Sequence, residues 1–149
     1  MLSVKQVWPA HNFFSCSSTL KDEIKITKFI VSTVFLALSA SASALDIKPY
    51  TAQALSAEQQ AGKPVSLHFH ANWCPTCRAQ EKVFQQWKGD ASVPGTLLVV
   101  DYDNEKELRK QLGIRMQSTL ITYRGTLEKS RLAGDTDADK LRAALLSAN

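Results

Sequence analysis

The segment Trp73-Cys74-Pro75-Thr76-Cys77 constrains the fold and the chemistry of this chain more than any other. It follows an apolar stretch, Val65 to His70, that indicates a buried strand, and it leads into a stretch, Pro75 to Trp87, that indicates a helix. Two cysteines in a Cys-x-x-Cys arrangement at such a junction are typical of a redox-active dithiol. Proline suits the first helical position, because the N–H that it lacks has no helical partner there.

The two cysteines are expected to have different roles. The unpartnered N–H groups and the dipole of a helix N-terminus favour the thiolate of Cys74, which we expect to be exposed and nucleophilic. Cys77 lies about one turn further along, close enough to attack a mixed disulfide formed at Cys74. We therefore predict that Cys74 bonds to a partner and that Cys77 resolves the mixed disulfide.

A metal site is the main alternative for these cysteines. A structural zinc site needs four ligands, usually from two cysteine pairs or from one pair and two histidines. The chain has one other cysteine, Cys16, and no second Cys-x-x-Cys. His68 and His70 precede the motif closely enough to complete a soft-metal set with both cysteines. Redox chemistry is favoured and no metal is expected, with a thiolate and histidine metal carrier as the alternative.

The surrounding residues resemble the thioredoxin family. Pro64 to Arg78 is similar to the family's strand, active-site loop and helix start, and Leu112 to Gly125 to its cis-proline loop and following strand. Leu132 to Leu146 is similar to the family's last loop and closing helix, so the resemblance extends from about Ala54 to the C-terminus. It implies an α/β protein with the thioredoxin fold, a central mixed β-sheet flanked by helices, and thiol–disulfide oxidoreductase activity without a bound cofactor.

Local signals predict the element order αβαβαββα. Thr51, Asp103 and Asp137 are each followed by a helical pattern, and they are expected to cap helices. The predicted helices are Ala52–Ala61, Pro75–Trp87, Asn104–Leu112 and Ala138–Ser147. The predicted strands are Val65–His70, Thr96–Tyr102, Leu120–Tyr123 and Leu127–Arg131, the last two forming a hairpin.

Two histidines depart from the pattern that the resemblance implies. Where relatives carry a buried acid, six positions before the first cysteine, this chain has His68, and Val99 stands where they carry a lysine. A neutral His68 would accept the proton of Cys77, or it would be a core histidine hydrogen-bonded to a neighbouring backbone group. His70 faces the same side of the strand, and we expect it to contribute packing and modest tuning of Cys74.

The loop Met116-Gln117-Ser118-Thr119 is the second departure, because relatives have a cis-proline where this chain has Ser118. A cis bond without proline costs about 2.5–4 kcal/mol, so we expect a trans peptide and a reshaped loop. The resemblance implies that this loop presents backbone groups to the substrate. The hydroxyl and the backbone N–H of Ser118 are expected near the sulfurs, where they would stabilise a thiolate. Trp73 is expected to shield the sulfur of Cys74 and to contact partner backbone.

The first 44 residues indicate a secretory leader. Lys25 and Lys28 precede an apolar run at about 29–38, and the small residues Ser39 to Ala44 follow in an Ala-x-Ala pattern. The run is too short for the roughly 20 residues that span a bilayer. We expect cleavage after Ala44, with Ala42 as the second choice and an uncleaved anchor as the alternative, and one thioredoxin-like domain over 45–149.

Composition limits the partners. The formal net charge is +4, and the sequence shows no basic patch interleaved with aromatic residues, so we expect no nucleic-acid partner. We predict an exported monomer in the bacterial periplasm that exchanges electrons with protein thiols and disulfides. Its redox partner would be another protein, such as a membrane-embedded electron carrier. A redox-silent binding module is a further alternative, which the intact dithiol disfavours.

Overall fold

The computed structural model describes residues 43–149. The leader proposed above, with its apolar run and Cys16, lies outside the described residues except for its last two positions. Among the helices of the described part, none is long and apolar enough to cross a membrane.

Helices and strands alternate along most of the chain. The elements are β1 (Asp46–Pro49), α1 (Ala52–Gln60), β2 (Pro64–His70), α2 (Pro75–Gln86), β3 (Thr96–Asp101), α3 (Lys106–Gln111), β4 (Thr119–Arg124), β5 (Leu127–Ala133) and α4 (Ala138–Leu146). The strands form one 5-stranded sheet in the order β1-β3-β2-β4-β5. β3 pairs in parallel with β1 and β2, whereas β4 pairs antiparallel with β2 and β5. The expected mixed sheet flanked by helices is confirmed.

Strand β2 lies at the centre of the sheet and separates two apolar layers. Its odd-numbered residues Val65, Leu67 and Phe69 are fully buried in the layer that also holds residues of α1 and α3. Its even-numbered residues point to the other face, where His68 meets the ring of Phe84 on α2. Residues of α2 and α4 form the core of that second layer. Because both faces are covered, side chains at the carboxyl end of β2 are enclosed from two sides.

The sequence signals missed β1 and misplaced one cap. β1 has only four residues, which is too short for a periodic pattern, and it forms by pairing with β3. Thr51 and Asp137 do cap their helices by accepting hydrogen bonds from Ala54 and Lys140. The cap predicted at Asp103 is wrong, because α3 begins later, at Lys106, without a side-chain cap.

Candidate active site

The two cysteines meet at the N-terminus of α2. Cys74 is the N-cap residue and Pro75 occupies the first turn, as the motif predicts. The backbone N–H of Cys77 donates to Sγ of Cys74 across 3.1 Å, and both residues are free thiols. An N–H aimed at a sulfur stabilises a negative charge there, so the geometry favours Cys74 as the thiolate of the pair.

The expected exposure of Cys74 is wrong. Only 1% of its surface is accessible, and Cys77 is fully buried. Ala71 and the half-buried ring of Tyr102 pack against the two cysteines. Tyr102 is in turn held by Arg109, whose guanidinium lies 3.9 Å from the ring centroid. The two sulfurs therefore differ in their hydrogen bonds and not in their accessibility.

Cys77 is held as a thiol. Its pKa is raised to about 11, mainly by burial and also by its hydrogen bond and charge interaction with Cys74. Backbone groups of Ala71 and Ser118 act in the opposite direction but are outweighed. Its thiol donates to the carbonyl oxygen of Phe69, with 3.9 Å between sulfur and oxygen. Cys77 is therefore protonated at neutral pH in the reduced protein.

His68 lies in the core beneath this site and is neutral. Its pKa is lowered to about 4, mainly by burial. The hydrogen bond to Gln80 opposes this shift, and the interaction with His70 contributes to it. Nε2 of His68 lies 2.9 Å from Oε1 of Gln80, so its partner is a side chain and not the backbone group of the core-histidine alternative. Val99 lies beside His68 in the register of β2 and β3, so no lysine stands at that place. Whether His68 accepts the proton of Cys77 stays a prediction.

Gln80 is the residue of this site that the sequence analysis missed. It is fully buried on α2, and its amide nitrogen donates to the carbonyl oxygens of Ser118 at 3.0 Å and Asp135 at 2.7 Å. Both amide hydrogens are thereby used, which leaves Oε1 to accept from His68. Its helical spacing with Cys77 and Phe84 was the available signal, because it places a polar side chain on the buried face.

His70 lies at the end of β2, partly exposed. Its ring meets that of His68 edge-on with centroids 5.5 Å apart, which confirms that the two histidines share a face. Its Nε2 is 3.5 Å from a carboxylate oxygen of Glu81 on α2. His70 also lines an open cavity of about 340 Å³ together with Asp101 and Asn104. Its packing role is thus defined, and tuning of Cys74 stays a prediction.

The Ser118 loop lies against the cysteines in an unusual backbone conformation. No peptide bond in residues 43–149 is cis, so the Gln117–Ser118 bond is trans as expected. Ser118 is buried with φ +57, a left-handed conformation that costs a non-glycine residue about 1–3 kcal/mol. Its N–H donates to the carbonyl of Phe69 at 2.8 Å. Its hydroxyl donates to the carbonyl of Gln117 and not to a sulfur, while a backbone group of Ser118 acts on Cys77.

Two apolar side chains on the segments around the dithiol remain exposed. Trp73 is 59% accessible, and its indole N–H donates to Oδ2 of Asp103 across 2.9 Å. Met116 is 44% accessible, and its carbonyl accepts from the hydroxyl of Thr119. Between the cysteines, Pro75 is exposed and Thr76 is half-buried. Exposed Trp73 and Met116 offer contact area to a partner chain without further opening of the fold.

Comparison with known proteins identifies the fold and the family. A family model described as Thioredoxin matches residues 47–147. The chain belongs to the thioredoxin family. It is 30% identical over 86 residues to a thioredoxin of Alicyclobacillus acidocaldarius subsp. acidocaldarius, a match that covers 58% of this chain and 82% of the relative. The family and the fold indicate a thiol–disulfide oxidoreductase.

Two solved structures are similar to this chain in fold. Trxlp from Edwardsiella tarda superposes with a TM-score of 0.64 at 31% sequence identity, covering 67% of this chain and 98% of that protein. Thioredoxin of Malassezia sympodialis, at 21% identity and a TM-score of 0.59, shares the fold.

Metal-binding side chains do not cluster in the part of the chain that the structure describes. Residues 43–149 contain no group of three or more His, Cys, Asp or Glu side chains placed to hold a metal ion.

Proposed function

We propose that Cys74 and Cys77 carry the oxidoreductase activity as a redox pair that exchanges electrons with disulfides and thiols of partner proteins. The observation that supports this most directly is the 3.1 Å hydrogen bond from the Cys77 N–H to Sγ of Cys74. It favours negative charge on the first sulfur, while burial keeps the second protonated. The Cys74 thiolate can thus attack first, whereas the protonated Cys77 reacts only after a mixed disulfide has formed.

The reaction would proceed in two exchanges. The thiolate of Cys74 attacks one sulfur of a partner disulfide, a new S–S bond forms to Cys74, and the other partner sulfur leaves as a thiolate that takes up a proton. Cys77 then loses its proton and attacks the sulfur of Cys74, which releases the second partner thiol. Two electrons pass from the dithiol to the partner. The same steps in reverse oxidise a partner dithiol.

Partner proteins would approach Cys74 beside Trp73 and Met116. Trp73 directly precedes Cys74, and Met116 belongs to the loop whose Ser118 N–H binds the end of β2. Because Cys74 is nearly inaccessible, attack needs a local opening of the cover that includes Tyr102. The energy for this opening would come from apolar contact of the partner with the two exposed side chains.

We further propose that the protein acts as a monomer outside the cytoplasm, in a bacterial periplasm, with another protein as its electron source or acceptor. Support comes from the order of the leader, basic, then apolar at 29–38, then small residues. A membrane-embedded electron carrier would suit a dithiol that works in an oxidising compartment. Intact-mass measurement of the native protein tests cleavage of the leader, since a mass that retains 29–44 would mean an anchored or a cytoplasmic protein instead.

Reduction of insulin disulfides with dithiothreitol as electron source tests the redox pair. The unaltered protein should accelerate the reaction, whereas Cys74→Ser and the double variant Cys74→Ser, Cys77→Ser should reduce insulin at the uncatalysed rate. Thr126→Ala, in the exposed β4–β5 turn, is the control and should keep full activity. Activity in the double variant would contradict the assignment.

A further inference from the structure

Gln80 connects three parts of the molecule that surround the dithiol. It is fully buried on α2, one turn after Cys77. Its side chain reaches His68 on β2, the carbonyl of Ser118 before β4, and the carbonyl of Asp135 between β5 and α4. A glutamine amide has two N–H donors, and both are used here together with its oxygen. Such a fully satisfied buried amide specifies one arrangement of the groups around it.

The arrangement of these bonds determines the proton position on His68. Two carbonyl oxygens face the amide nitrogen of Gln80, so a flipped amide would place oxygen against oxygen and lose two hydrogen bonds. Oε1 of Gln80 therefore faces Nε2 of His68, which must donate. A neutral imidazole has one N–H, so the lone pair of His68 lies on Nδ1. No other tautomer of a neutral ring satisfies this geometry.

The same amide also holds the loop that faces the cysteines. The carbonyl of Ser118 accepts from Gln80 and from the N–H of Gly134, at 3.0 Å in each case. On its other side, the Ser118 N–H donates to Phe69, whose carbonyl also faces the Cys77 thiol. The left-handed Ser118 has no proline ring to restrict it, so hydrogen bonds must keep it in place.

From this geometry we propose that Gln80 is a positioning residue, whose side-chain amide holds the Ser118 loop against the dithiol helix and holds His68 as the Nε2–H tautomer. The inference rests on the proposed redox function of Cys74 and Cys77. The three hydrogen bonds of Gln80 go to His68, Ser118 and Asp135 and not to a reacting sulfur. Loss of Gln80 should therefore impair partner binding at the loop more than the chemistry at Cys74.

Three variants separate positioning from a general effect on stability. Gln80→Met keeps the length of the side chain and removes all three hydrogen bonds. Gln80→Glu keeps an oxygen acceptor for His68 but offers at most one donor, and only when the carboxyl is protonated. Gln85→Met makes the same substitution on the exposed face of α2 and is the matched control.

Hydrogen exchange and ¹⁵N spectra of the folded, reduced protein give the decisive readouts. In the unaltered protein, the His68 nitrogens should show the Nε2–H tautomer, and the Ser118 amide should be strongly protected. Gln80→Met should mix the tautomers, speed exchange at Ser118 at least tenfold, and raise KM for insulin several-fold with a smaller change in kcat. Gln85→Met should change none of these. Unchanged exchange, tautomer and KM in folded Gln80→Met would overturn the proposal.

Gln80→Glu tests the same hydrogen bonds through pH. At low pH its protonated carboxyl can donate to one of the two carbonyls, but after ionisation it repels both of them. Protection of the Ser118 amide should therefore fall as pH rises in Gln80→Glu, whereas in the unaltered protein it should not fall over the pH range below the unfolded-state pKa of Cys77. A level profile in both proteins would contradict the proposal. Should Gln80→Met not fold, this profile and the His68 tautomer of the unaltered protein decide the question.

Failure of the Gln80 proposal can be distinguished from failure of the proposed redox function. Absence of insulin reduction by the unaltered protein would reject the redox assignment. The exchange and tautomer measurements would still show whether Gln80 organises the loop and the histidine.

Discussion

The backbone N–H of Cys77 points at the sulfur of Cys74, 3.1 Å away, at the first turn of α2. The residue that would resolve a mixed disulfide thus also stabilises the thiolate that would form it. Its own thiol is buried and held in the protonated form. Both cysteine side chains are almost equally inaccessible, so accessibility does not explain their different roles. The roles differ because this hydrogen bond stabilises negative charge on Cys74 and not on Cys77.

Trapping of mixed disulfides should distinguish the two cysteines. Cys77→Ser keeps the backbone N–H that stabilises Cys74, so its mixed disulfides should accumulate because no thiol resolves them. Cys74→Ser should trap few partners, because its remaining thiol is buried and protonated. Non-reducing gel electrophoresis followed by mass spectrometry measures both. Equal trapping by the two variants would contradict the roles assigned here.

Alkaline pH should destabilise the reduced protein through Cys77. Its pKa is raised from 9.0 to about 11, so its stabilising effect is complete below the unfolded-state pKa and is lost as pH rises towards 11. A shift of this size corresponds to about 2–3 kcal/mol of unfolding free energy. Urea unfolding of the reduced protein at pH 8 and pH 11 measures the loss. In Cys77→Ala, most of this loss of stability between pH 8 and pH 11 should be absent. If the variant loses as much stability as the unaltered protein, other groups cause the effect.

Acid should destabilise the protein through His68. Burial lowers its folded-state pKa from 6.5 to about 4, so its contribution is complete above pH 6.5 and is lost as pH falls through 4. Full loss of this contribution lowers the free energy of unfolding by about 3 kcal/mol. His68→Gln, which does not titrate, should weaken this dependence between pH 6.5 and 4 in urea unfolding curves. An unchanged slope would mean that His68 has the same pKa in the folded and the unfolded protein.

The rate of resolution tests proton transfer to His68 separately. Burial lowers the pKa of His68 to about 4, so its imidazole is a weak base for a thiol whose own pKa is raised by burial. We therefore expect folded His68→Ala to change the resolution rate less than tenfold in rapid-mixing experiments. A hundredfold slowing near neutral pH would identify His68 as the base.

Proline at position 118 should destabilise this loop. Ser118 has φ +57 and donates its N–H to Phe69, whereas proline fixes φ near −65° and has no N–H. Ser118→Pro should therefore cost about 3 kcal/mol unless the loop rebuilds. Ser118→Ala keeps the N–H and should cost much less. Calorimetry of both variants measures the difference, and a Ser118→Pro protein as stable as Ser118→Ala would show that these hydrogen bonds do not hold the loop.

Local features of the sequence determined the elements and the position of the dithiol. Proline at the first helical position, the caps at Thr51 and Asp137, and the apolar alternation of β2 act within a few residues, so they could be read without a structure. The same signals failed at β1, whose four residues form a strand only because β3 is available to pair with them.

Only the tertiary structure decided the environment of the cysteines. Tyr102 is distant from Cys74 in sequence, yet it covers the cluster that buries both sulfurs. Gln80 appears as one polar residue in a helix until the fold brings His68, Ser118 and Asp135 around its amide. Burial and hydrogen-bond partners arise when separate segments pack together, whereas helix starts and strand alternation depend on neighbours in the chain. The motif therefore determined which residues form the dithiol, and the packing determined their protonation and accessibility.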